Sequence, residues 1–101
     1  RRLRLPFALQ ILQVLLQKSK SGGGMDNEDL AHKIGVDREF LSPLLELLGR
    51  GGFVMCSDAD GWVLARDLDT ATLAELFDVL DLAAPASIEA RYEGVRHALS
   101  L

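Results

Sequence analysis

Two histidines, a single cysteine and a run of three glycines are the residues of this 101-residue chain on which chemistry could first be sought. His32 and His97 stand far apart, and neither belongs to a spacing such as H-E-x-x-H that would place two imidazoles and a carboxylate on one metal. Cys56 has no second cysteine for a disulfide or a cluster, and it follows Met55 rather than a cation that would stabilise a thiolate. Gly22-Gly23-Gly24 precede a helix, as a phosphate-binding loop would. However, no Lys-Ser/Thr pair follows them, no strand precedes them, and Asp26, Glu28 and Asp29 would repel an anion. We therefore expect no catalytic residue, no cofactor, no metal and no enzymatic activity.

Nucleic-acid binding asks for different residues, cations and small donors on one exposed helical face. The stretch from Arg38 to Gly49 offers Arg38, Ser42 and, just beyond it, Arg50; either guanidinium could grip a phosphate or a guanine edge. Glu39 and Glu46 share that face, with Asp37 at its start and Asp58 and Asp60 in a later turn. Charge is unevenly spread: residues 1–20 hold five bases and no acid, whereas 21–81 hold four bases against thirteen acids, a net of −9. On that sum nucleic acid is an unlikely partner, and specific duplex binding should be absent.

These residues must be positioned by short elements. Leu5, Phe7, Ala8, Leu9, Ile11, Leu12, Leu15 and Leu16 recur at helical spacing behind Pro6, predicting a first helix over about 6–18. Ser19 to Gly24 then read as a connector. Asp26 is an N-cap for a second helix over 27–34, Gly35 its stop, and Asp37 the cap of a third over 38–49 that Pro43 should bend or restart at Ser42. Phe53–Cys56 and Trp62–Ala65 flank an Asp/Gly turn and predict a hairpin, and Thr72 with Glu75 forms a capping box for a helix over 73–80. After Pro85 a narrow stripe of Ile88, Tyr92, Val95 and Leu99 marks a last helix that packs on the body or on a partner. The expected fold is mostly α with a small antiparallel β-hairpin, a winged helix-turn-helix in the order H-H-H-β-β-H-H. Residues 1–81 would form the winged-helix domain with a basic leader, and 82–101 the C-terminal amphipathic helix. Leu12, Leu30, Ile34, Leu44, Leu48, Phe53, Val63 and Phe77 should share one core.

The strings Asn27–Val36, Leu44–Leu48 before Gly51-Gly52-Phe53-Val54, and Gly61-Trp62-Val63-Leu64-Ala65-Arg66-Asp67 with Thr72-Leu73-Ala74-Glu75-Leu76 resemble the C-terminal domain of the YihY/BrkB inner-membrane family, long described as ribonuclease BN-like. Iron–sulfur-sensing winged-helix repressors share a similar strand and following helix and compete with that resemblance. The YihY/BrkB resemblance implies a domain at the cytoplasmic face of a bacterial inner membrane, attached to spans upstream of residue 1. Arg1, Arg2 and Arg4 stand where cytoplasmic flanks of spans are enriched in cations, and a start at Arg1 reads as a piece of a longer protein. The function expected from all this is a non-catalytic interaction or regulatory domain, its partner a protein or a second copy held through the C-terminal stripe. A DNA-binding transcriptional regulator of the winged helix-turn-helix type, acting in the cytoplasm, is the alternative.

Overall fold

The computed structural model describes residues 4–80 and 94–99. Its elements follow the expected order: α1 (Arg4–Ser21), α2 (Asn27–Ile34), α3 (Arg38–Arg50), β1 (Val54–Ser57), β2 (Gly61–Leu64), α4 (Leu73–Leu80) and α5 (Val95–Leu99). The fold is mostly helical with a two-stranded antiparallel hairpin, a winged helix.

Local chemistry explains most of the boundaries. Asp26 caps α2 by accepting from the Asp29 N–H at 2.8 Å, and Gly35 closes it in the left-handed region at φ 87°, where a β-carbon would be strained. Its N–H and that of Val36 both donate to the Ala31 carbonyl, turning the chain sharply into α3. Asp37 has the extended backbone of a cap, but its side chain makes no capping bond, and α3 runs through Pro43 as one helix. Thr72 caps α4, the Glu75 N–H donating to Thr72 Oγ1 at 3.2 Å, and the Glu75 carboxylate accepts from the Thr72 hydroxyl in place of the backbone N–H that completes a capping box. Arg66 pairs with Glu75 and also lies over the Phe53 ring, 5.2 Å from its centroid.

One core joins these elements. Leu12, Leu30, Leu44, Leu48 and Phe53 are buried in it, while Ile34 and Phe77 pack against it from half-buried positions. Val63 departs from the expected set. Strand side chains alternate, and on β2 Trp62 and Leu64 pack against the core, whereas Val63 lies under Gly24, whose hydrogen leaves room for it. The C-terminal residues dock on the segment between β2 and α4: Gly94 bridges Thr72, the Val95 N–H donates to the Ala71 carbonyl at 2.9 Å and the Arg96 N–H to the Leu68 carbonyl at 3.2 Å. Val95 is fully buried and Leu99 packs on the core, so this part of the stripe lies on the body; Ile88 and Tyr92 lie outside the described residues.

Candidate nucleic-acid interface

α3 buries Leu41, Leu44, Leu45 and Leu48, and this apolar stripe fixes which residues look outward. Glu39, Pro43, Glu46 and Arg50 are exposed on the opposite side, with Arg38 and half-buried Ser42 on the flank toward α2. Phe40 occupies the other flank and is committed to an edge-on contact with Phe7 of α1, ring centroids 5.1 Å apart. Asp37, Arg38, Glu39 and Ser42 line an open recess where α3 begins. The Arg38 guanidinium stands 3.6 Å from Glu28, with both side chains largely in solvent, so the pair contributes little and leaves Arg38 free to exchange partners.

The hairpin is joined to α2 and α3 by contacts the sequence did not disclose. Met25, between the glycines and α2, pairs with Trp62 through two backbone hydrogen bonds, 3.0 and 2.7 Å, and so extends the sheet on the far side of β2. This is the work of the glycine run: a β-carbon on Gly24 would strike the Trp62 carbonyl and approach Val63 Cγ1 to 2.6 Å. Indole Nε1 of Trp62 donates to Asn27 Oδ1 at 2.5 Å, and Asn27 Nδ2 donates to Ser42 Oγ at 3.1 Å. A half-buried tryptophan N–H needs an acceptor, which was the one signal in the sequence for this relay.

Several acids behind the net charge of residues 21–81 are engaged away from α3. Asp26 caps α2, Asp67 accepts from the Asp69 N–H, and Glu75 holds Arg66 and Thr72. Asp58 and Asp60 stay exposed at the wing tip. His32 is exposed on α2 and Cys56 on β1; among the described residues no group of three metal-ligating side chains comes together, and no helix is long and apolar enough to cross a membrane.

Comparison with solved structures finds the same fold elsewhere. CymR (YrzC), the global cysteine regulator of B. subtilis, superposes with a TM-score of 0.67 at 21% identity, over 96% of this chain and 76% of that one. T. potens IscR superposes with a TM-score of 0.57 at 17% identity, over 87% of this chain and 64% of that one. No family model and no curated protein sequence matches the chain. Both likenesses lie below 25% identity, and what they establish for this chain is the winged-helix fold. They overturn the resemblance to the YihY/BrkB family and, with it, the membrane attachment and the exclusion of nucleic acid. The last two of the resembling strings fall on the second wing strand and on the capped start of α4, elements of the winged-helix fold of this chain. The charge sum also counted Asp26, Asp67 and Glu75, which are engaged away from α3, although Glu39 and Glu46 do stand on its exposed face.

Proposed function

We propose that the chain is a DNA-binding transcriptional regulator that addresses a duplex with α3 and the hairpin, and acts in the cytoplasm. The observation that carries this reading is the open face of α3 beside a wing anchored to it, in a fold it has in common with regulators. Arg38 and Arg50 stand at the two ends of α3, about 18 Å apart at 1.5 Å per residue. That separation suits phosphates on either side of a groove roughly 12 Å wide better than neighbouring bases. The Ser42 hydroxyl lies between them, on the flank nearer the wing. Glu39 and Glu46 on the same face lower the affinity for any duplex, so binding depends on a matched site more than on bulk attraction.

The test is repeated selection of duplexes from a random library by the chain at about 0.1 M salt, followed by fluorescence anisotropy on the enriched sequence. A common motif should emerge, with affinity falling in Arg38→Ala and Arg50→Ala. No enrichment, or binding that persists in both variants and vanishes only when Arg1, Arg2 and Arg4 are removed, would overturn the proposal.

A further inference from the structure

The relay from Trp62 through Asn27 to Ser42 has a fixed direction. An indole nitrogen can only donate, so the oxygen of the Asn27 amide must face Trp62; the amide nitrogen, also only a donor, then faces Ser42, whose oxygen must accept. The hydroxyl proton of Ser42 is thereby left over. Ser19 and Ser21 use theirs in the usual helical way, donating to the carbonyls of Leu16 and Lys18. Among the described residues the Ser42 proton has no such acceptor, and Ser42 lines the recess with Arg38 and Glu39. The same amide also ties three elements together: Trp62 belongs to β2, Asn27 opens α2, and Ser42 lies in α3, where the six-membered ring of Trp62 would stand 3.9 Å from a β-carbon on Gly49.

Resting on the DNA-binding reading, we infer that Asn27 is a positioning residue: it holds the wing at a set angle to α3 and presents the Ser42 hydroxyl as a ready donor to an acceptor on the duplex. The acceptor is a phosphate oxygen or a base-edge oxygen or nitrogen, since both offer the same lone pairs. Asn27 touches no nucleic acid itself. Its effect is geometric, because the hairpin and α3 must meet the duplex together.

The experiment compares Asn27→Ala, Trp62→Phe and Ser42→Ala with the unaltered chain on the enriched duplex. Asn27→Ala and Trp62→Phe should each weaken binding by about tenfold, as loss of a half-buried hydrogen bond would. The double variant should be no worse than Asn27→Ala alone, since that substitution already removes the bond that Trp62→Phe removes. Hydroxyl-radical protection under the wing should fade in both while protection of guanine N7 from methylation under α3 persists. Ser42→Ala should weaken binding at one base position if the acceptor is a base edge, and equally on all sequences if it is a phosphate. Additive losses, a joint fall of both protections, or an Asn27→Ala variant that binds normally would overturn the inference. If the unaltered chain enriches no duplex, the proposed function fails, and hydrogen exchange decides the coupling by itself. Faster exchange at the Met25 and Trp62 amides in Asn27→Ala and Trp62→Phe, with α2 and α3 unchanged, supports it; uniform acceleration or none overturns it.

Discussion

Replacing Gly51 with alanine sets two opposing effects against each other at the exit from α3. Gly51 has φ −81°, an ordinary right-handed conformation, so the backbone raises no objection and alanine should stabilise by about 0.7 kcal/mol through the unfolded chain. Its β-carbon, however, would collide with Val79 Cγ2 of α4 and stand only 3.0 Å from Val79 Cγ1 and 3.1 Å from its Cβ. Val79 is half-buried and β-branched, so relieving the clash requires an unfavourable rotamer or a shift of α4, an overpacking penalty of about 2 kcal/mol. The clash wins by about 1–1.5 kcal/mol, which for a domain of this size lowers the thermal midpoint by roughly 5–10 °C. Thermal unfolding followed by circular dichroism reads this directly. In the Gly51→Ala/Val79→Ala double variant the added methyl fills the space left by the valine, so the combined loss should fall well short of the sum of the single losses. A Gly51→Ala variant as stable as the parent, or strictly additive losses, would show that α4 does not lie this close to the end of α3.

Three further outcomes follow from other contacts. Thr72→Ala should cost about 1 kcal/mol by freeing the Glu75 N–H at the start of α4, and an unchanged denaturation midpoint would show that the cap is not formed. Gly24→Ala should be more damaging than Gly51→Ala, because the obstacle is the Trp62 carbonyl of a paired strand and not a side chain that can turn; a red shift of the tryptophan emission should accompany the loss, and native-like emission would count against the close approach. Asp58→Lys/Asp60→Lys at the exposed wing tip should steepen the dependence of log K on log salt by up to about 1.8, roughly 0.9 for each phosphate newly met, and an unaltered slope would mean that the wing tip does not reach the backbone.

What could be read from the sequence was what local chemistry decides. α2 was predicted to the residue because Asp26 and Gly35 act on backbone groups three or four positions away, and the Thr72 cap was visible for the same reason. α1 runs on to Ser21, past the expected end, as the Ser19 and Ser21 hydroxyls bond back to the preceding turn. Asp37 as a capping side chain and a restart of the helix at Ser42 both failed, since the packing of Leu41, Leu44, Leu45 and Leu48 holds α3 together whatever its first turn prefers. Arg38, Ser42 and Arg50, the residues of the proposed interface, could be placed on α3 from spacing. Asn27 and Trp62 could not be paired, because thirty-five positions separate them and only the fold brings them together.

The Met25–Trp62 bridge also bears on how the chain folds. It closes a loop that contains α2, α3 and β1, and closing a loop of about 37 residues costs on the order of 3 kcal/mol of chain entropy before either backbone bond is made. The helices inside the loop can form early from local contacts, but the bridge stays unfavourable until Leu30, Leu44, Leu48 and Phe53 have begun to share a core. Substitutions at Trp62 or Gly24 should therefore act on the rate of unfolding far more than on the rate of folding, and the wing should be the last part of the domain to reach its native place.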